Sequence, residues 1–194
     1  MATADCDALD QADMARLVAG DESALRSLMD RHATTVFHFL VRMLNQEDDA
    51  NDLAQETFVR VFQHRLRFKP GARFSTWLYT IAGNLARNHH RWRSRHPGVS
   101  LDTPGEDSGQ SLGETLPAAT AAPDQAAGLR ERTEAVRAAV RELPDDLREA
   151  LVLCEWEELA VAEAAAVLQT TPKAVESRLY RARQRLRERL GAWL

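Results

Sequence analysis

The stretch AVAEAAAVLQTTPKAVESRLYRARQRLRERL, residues 160–190, decides how the C-terminal part of the chain folds. Ala160 to Leu168 reads as a short alanine-rich helix and Gln169 to Thr171 as a polar turn. Pro172 suits the first position of a new helix, where its missing N–H would have had no partner. Beyond it Val175, Leu179, Ala182, Leu186 and Leu190 recur at steps of four, three, four and four, a single apolar stripe. Lys173, Glu176, Ser177, Tyr180 and Arg181 lie on other faces. Two helices joined by a three-residue turn have helix-turn-helix spacing. A polar leading turn followed by a ladder of arginines suits the DNA major groove, which admits a helix and is flanked by phosphates. An arginine-rich last helix also stays solvated and complements its own dipole, so the motif alone leaves both readings open.

Upstream, Leu129, Thr133, Val136, Val140 and Leu143 keep helical phase until Pro144 breaks it. Asp145 or Asp146 can cap the next helix, which carries Leu147, Leu151 and Val152. Residues 98–128 hold the acids Asp102, Glu106, Asp107, Glu114 and Asp124, no Lys or Arg, five glycines and three prolines. So little apolar surface cannot offset the entropy of ordering the segment, which reads as a flexible acidic linker. The organisation is therefore a domain over 1–97, a linker over 98–128 and a helix-turn-helix domain over 129–194.

In the first domain, Leu17, Val18, Leu25, Leu28, Met29, Val36, Phe39, Leu40, Met43 and Leu44 recur mostly at three- and four-residue steps. A second helix, starting between Gln46 and Asp49, turns Leu53, Thr57, Phe58, Val61 and Phe62 inward. Asp52, Gln55, Glu56 and Arg60 are left together on its opposite face. Pro70-Gly71 forces a turn, and a third helix runs from Ser75, a plausible N-cap, through Trp77, Leu78, Ile81, Ala82 and Leu85. The fold class is all-α: two small helical domains.

Charge is laid out in blocks. Residues 1–56 carry 12 acids against Arg16, Arg26, Arg31 and Arg42. From Thr57 to Pro97 there is no acid, and Arg60, Arg65, Arg67, Lys69, Arg73, Arg87, Arg91, Arg93 and Arg95 are the basic residues. Phe68, Phe74, Trp77, Tyr79 and Trp92 are interleaved with them, a combination that suits phosphates and stacked, unpaired bases. The competing reading, which Trp77 favours, is that these aromatics are core.

Residues 52–62, Asp-Leu-Ala-Gln-Glu-Thr-Phe-Val-Arg-Val-Phe, and 74–84, Phe-Ser-Thr-Trp-Leu-Tyr-Thr-Ile-Ala-Gly-Asn, resemble region 2 of the extracytoplasmic-function sigma factors of bacterial RNA polymerase. Leu-Pro-Asp-Asp-Leu-Arg-Glu-Ala at 143–150 and Val-Glu-Ser-Arg-Leu-Tyr-Arg-Ala-Arg at 175–183 resemble their region 4, in the same order. The resemblance implies that Asp52, Gln55 and Glu56 meet the clamp helices of the polymerase's largest subunit, and that region 4 meets the flap of the second-largest. It implies that Arg65, Arg67, Lys69, Arg73, Asn84, Arg87 and Arg91 hold the promoter minus-10 element. Asn84 matches the pocket for a flipped base, and Leu66 to Arg73 the specificity loop. Lys173, Glu176, Ser177, Tyr180 and Arg181 match the minus-35 reader, although Glu176 stands where many relatives carry a basic residue. Thr80 and Ile81 replace the tryptophan pair of housekeeping relatives, which implies weaker melting and stricter promoter choice. The linker would thread toward the catalytic cleft, and an anti-sigma factor is the expected inhibitor.

Other classes find little support. Cys6 and Cys154 show no Cys-x-x-Cys or Cys/His spacing, so neither a disulfide framework nor a zinc site follows. His89, His90 and His96 lie close in sequence, with His32 and His38 on a nearby helix, but lack metal-site spacing. No phosphate loop, nucleophile elbow or catalytic pair is evident, so no catalytic residue, metal, cofactor or small-molecule substrate is expected. No apolar run nears the ~20 residues of a membrane span. Met1 to Asp13 has four aspartates and no base, unlike a signal peptide, so membrane insertion is not expected and the expected location is cytoplasmic. A helix-turn-helix regulator acting on duplex DNA without polymerase is the alternative.

Overall fold

The computed structural model describes residues 2–96 and 123–191. Among them the N-terminal half contains α1 (Ala2–Val18), α2 (Ser23–Leu44), α3 (Glu47–His64) and α4 (Phe74–Arg95), with a 3-10 turn at Arg65–Arg67. The C-terminal half contains α5 (Pro123–Arg141), α6 (Asp145–Glu155), α7 (Val161–Val167) and α8 (Pro172–Leu190). The described residues form no strand.

The core of the first half is built where apolar residues recur at helical spacing. Leu28, Val36, Phe39, Leu40 and Met43 of α2 meet Phe58 and Val61 of α3, Phe74, Leu78 and Ala82 of α4, and Met14 and Leu17 of α1. Helix α2 ends where Asn45 turns left-handed (φ 57°) and its N–H bonds to the Val41 carbonyl. The expected turn at Pro70-Gly71 forms, with Gly71 at φ 82°, which a side chain would resist. Gln11 of α1 accepts from the Gly71 N–H at 3.3 Å and donates to the Ala72 carbonyl, fastening this loop to the bundle.

Three expectations for this half are corrected. Val18 and Met29, placed in the buried stripe, are exposed at 41% and 37%, because each sits at the edge of its helix's packed face. Ser75 does not cap α4: the helix begins one residue earlier, at Phe74, after an extended Arg73. Burying Phe74, 1% exposed, pulls Ser75 into the first turn. Of the aromatics considered for base stacking, Phe68, Phe74 and Tyr79 are buried, and Trp77 packs on Phe68 at 5.3 Å between centroids. They are core, and Trp92 alone of the five is largely exposed, stacked on His96 at 5.1 Å.

In the second half, α6 is the central element, with Leu147 to Leu153 buried without a break. Neither Asp145 nor Asp146 caps it; Pro144 holds that position and Asp145 instead accepts from Arg148. Helix α5 begins at Pro123, earlier than Leu129. Its expected stripe is shorter than the sequence phase suggests: Thr133 and Val136 are exposed, and Ala139 and Val140 are buried where α5 meets α8 and α2. The expected linker, apart from the start of α5, lies outside the described residues. Helices α7 and α8 form as expected to within a residue. Thr171 caps α8 by accepting from the Ala174 N–H at 3.2 Å, with Pro172 next.

The two halves pack on each other. Helix α4 lies against α7, and α2 against α6 and α5.

Candidate functional site

Helical phase places Lys173, Glu176, Ser177, Tyr180, Arg181 and Gln184 on one stripe of α8, because steps of three and four return to the same face. Val175, Leu179 and Ala182 are buried on the opposite side and fix the helix against α6 and α7. All five minus-35 candidates are exposed, Tyr180 at 65%. Their mutual bonds are local: Ser177 donates to the Lys173 carbonyl at 2.9 Å, Arg181 to the Ser177 carbonyl at 3.3 Å, and Gln184 to the Tyr180 hydroxyl at 3.0 Å. Such bonds are readily exchanged for bonds to a base edge or phosphate.

On α3, burial of Ala54, Thr57, Phe58 and Val61 turns Asp52 and Gln55 outward. Glu56, half exposed, accepts from Arg60 at 2.8 Å. Asp52, Gln55 and Glu56 thus form a compact polar surface within about one turn.

The minus-10 candidates divide. Arg67, Lys69 and Arg91 are exposed. Arg65 bonds to the Phe62 carbonyl at 2.8 Å and lies 4.3 Å over the Phe62 ring. Arg73 and Arg87 reach acids of the second half. Arg73 donates to both carboxylate oxygens of Glu163 at 3.0 and 2.9 Å, and also pairs with Asp7. Those carboxylates, Glu163 foremost, raise the Arg73 guanidinium above its ordinary pKa against the cost of burial. Arg87 pairs with Glu149 and donates to the Asn84 Oδ1 at 2.7 Å. Asn84 therefore spends its amide oxygen on a local bridge.

Sequence reasoning missed the acids on the other side of this contact. Glu149 is 4% exposed, and burial pushes its carboxyl up to about 7 despite Arg87 and Arg178 nearby. Glu157 accepts from the Tyr79 hydroxyl and pairs with Arg42 at 3.3 Å, while Arg42 also lies 5.5 Å over the Trp156 ring. Burial raises both Glu157 and Tyr79, and lowers Arg42. His90 of α4 stands 3.8 Å from Asp145. An acid inside the apolar run Leu147–Leu153 was the signal available for Glu149; nothing local marks Glu157 or Glu163 as partners of α4. The basic face of α4 is thus answered by carboxylates from α6, α7 and the turn between them.

Comparison with known proteins places the chain in a family. A model described as Sigma-70 region 2 matches residues 28–96, and one described as Sigma-70, region 4 matches 133–186. RNA polymerase sigma-H factor of Pseudomonas aeruginosa is 35% identical over 176 residues, 90% of either chain. RNA polymerase sigma factor CarQ of Myxococcus xanthus is 37% identical over 178 residues, 92% of this chain and 95% of that one. The ECF RNA polymerase sigma factor SigW of Bacillus subtilis is 30% identical over 172 residues, 88% of this chain and 91% of that one. Among solved structures, CnrH in complex with the cytosolic domain of CnrY superposes with a TM-score of 0.69 at 26% identity, covering 95% of this chain and 98% of that chain. RpoE of Bartonella quintana, in complex with the anti-sigma factor NepR, shares the fold with a TM-score of 0.66 at 22% identity, over 86% of this chain and 96% of that one. With both regions matched in order and relatives above 30% identity along nearly their whole length, this chain belongs to the extracytoplasmic-function sigma factors of bacterial RNA polymerase.

Proposed function

We propose that the chain binds core RNA polymerase through Asp52, Gln55 and Glu56 and directs it to a two-part promoter. The observation that carries this reading is the coexistence, on one chain, of an outward polar α8 stripe and a separate exposed acidic face on α3. A regulator that needs only DNA has use for the first and none for the second. Lys173, Glu176, Ser177, Tyr180 and Arg181 then read the minus-35 element in the major groove. Arg65, Arg67, Lys69, Arg73, Arg87 and Arg91 hold the minus-10 phosphates, and Asn84 offers an amide to a flipped base. The chemistry of RNA synthesis belongs to the polymerase, and this chain supplies specificity. An anti-sigma factor is the expected inhibitor, the kind of partner named for RpoE in its complex with NepR.

In the docked arrangement Glu163 engages Arg73 and Glu149 engages Arg87, which in turn donates to the Asn84 amide oxygen. Minus-10 DNA must therefore displace those carboxylates, exchanging one set of charge-assisted bonds for another. Reconstituted transcription tests the proposal: core polymerase with this chain, on a library of random upstream sequences, is expected to yield start-specific transcripts sharing two spaced elements. Transcripts no different from core alone, with the chain still retarding duplex DNA, would support the polymerase-independent regulator.

A further inference from the structure

Sequence spacing gives no reason to group Cys6 with His32, but folding does. Cys6 and Asp10 lie four residues apart on α1 and so share a face, and α2 crosses that face at His32. One ligand atom from each of Cys6, Asp10 and His32 lies within 4.8 Å of the other two. We infer that these three side chains form a binding site for a zinc ion.

The donor set is a thiol, a carboxylate and an imidazole, the three ligand types zinc favours, with a fourth position left for water. Tetrahedral bonds to zinc put neighbouring ligand atoms about 3.2 to 3.7 Å apart. Asp10 Oδ2 and His32 Nε2 now stand 2.8 Å apart, so an ion needs them to part by a fraction of an ångström while the thiol closes in. Cys6 is half-buried at the edge of the cluster, which gives an ion a way in, whereas Asp10 is 1% exposed and held in place.

The surroundings hold the ligands as outer partners of metal sites do. Asp10 turns Oδ1 to the Arg31 Nε at 2.9 Å, leaving Oδ2 for the site. Arg31 continues to Asp13 at 2.6 Å, and Asp13 to Arg16 at 2.9 Å. The His32 ring packs on Phe74 at 5.2 Å between centroids, which limits its rotation. Two separate chains of ion pairs flank the cluster, Asp10–Arg31–Asp13–Arg16–Asp21 on one side and Asp7–Arg73–Glu163 on the other, and hold its walls in place. On binding, the sulfur–zinc bond replaces the S–H bond and the proton leaves to solvent. The neutral imidazole, whose Nε2–H now donates to the Asp10 carboxylate, passes that proton to solvent and takes one up on Nδ1, which frees the Nε2 lone pair for the ion.

The test uses the full chain stripped with a chelator and titrated with Co²⁺, a spectroscopic stand-in for zinc. Wild type and Cys154→Ser are expected to show thiolate-to-cobalt charge-transfer absorption saturating at one equivalent and displaced by Zn²⁺. Cys6→Ser is expected to lose the band, and His32→Gln to bind at least about tenfold more weakly. Zinc should raise the melting temperature of wild type and not of Cys6→Ser. Absence of the band in wild type, a band that depends on Cys154, or one indifferent to His32→Gln would overturn the site. Should His32→Gln fail to fold, Cys6→Ser, at a half-exposed position on the first helix, decides the matter by itself.

Discussion

Arg87 of α4 and Glu149 of α6, 62 residues apart, form an ion pair across the two halves of the chain, directly over Gly83. A Cβ at position 83 would stand 2.8 Å from the Glu149 Oε1 and 3.3 Å from the Arg87 Nη1. At this glycine the Glu149 side chain therefore lies directly against the backbone of α4. Gly83→Ala should favour helix α4 by about 1 kcal/mol through propensity, yet force the Glu149 side chain aside. The expected outcome is a first half that melts no earlier, with looser docking seen as a larger radius of gyration by small-angle X-ray scattering. An unchanged radius would show that the pair does not hold the halves together.

Burial of Glu149 makes docking pH-dependent, because desolvation outweighs the attraction of Arg87 and favours the neutral carboxyl. Glu149 is raised to about 7 in the docked form, by burial first, against the influence of Arg87 and Arg178 and with Asp145 adding to the rise. Undocked, its carboxyl returns toward the ordinary range near 4. The docked form thus holds the proton more tightly, so this group's contribution is fully present below the ordinary value and is lost as pH rises through about 7. Scattering between pH 5.5 and 8.5 should show the chain expanding as pH rises. Glu149→Gln, which cannot titrate, should flatten that dependence.

Surface and core positions on α8 should separate cleanly. Tyr180→Ala and Arg181→Ala remove exposed side chains and should leave the melting temperature within a degree or two while weakening promoter DNA binding. Losing the Arg181 charge should also reduce the salt dependence of binding by about one counterion. Val175→Ala, at a fully buried position one turn away, should do the reverse, destabilising the second half with intact contacts to DNA until it unfolds. Thermal melts paired with salt-dependent binding distinguish the two.

Phe39 is fully buried and packs edge-on to Tyr79 at 5.2 Å. Phe39→Ala should cost about 3 to 5 kcal/mol by denaturant titration, from the cavity it leaves. A loss below about 1 kcal/mol would mean that α2 and α4 do not share the core described.

The helices were legible because their apolar residues recur at a period that only a helix satisfies, and because Pro70-Gly71, Pro144 and Pro172 punctuate them. The α8 stripe was legible for the same reason: burying Val175, Leu179 and Ala182 dictates what faces out. What local pattern could not show was long-range charge matching. Arg73 and Arg87 look like free phosphate ligands in sequence, and only the docking of α6 and α7 reveals Glu149 and Glu163 opposite them. Phe74 and Tyr79 looked available for stacking because spacing alone cannot tell a core aromatic from an exposed one at the edge of an amphipathic face. His32 beside Cys6 and Asp10 was hidden because the three ligand types come from two helices.

The outward face of α3 is what separates a polymerase-binding chain from a free DNA-binding regulator. Capture of core RNA polymerase should be compared for wild type and for the chain carrying Asp52→Ala, Gln55→Ala and Glu56→Ala together, with circular dichroism to verify that both are folded. Wild type is expected to retain the polymerase, and the triple variant to lose at least about tenfold in affinity while still binding promoter DNA. Equal retention of polymerase by a folded triple variant would contradict the role given to this face.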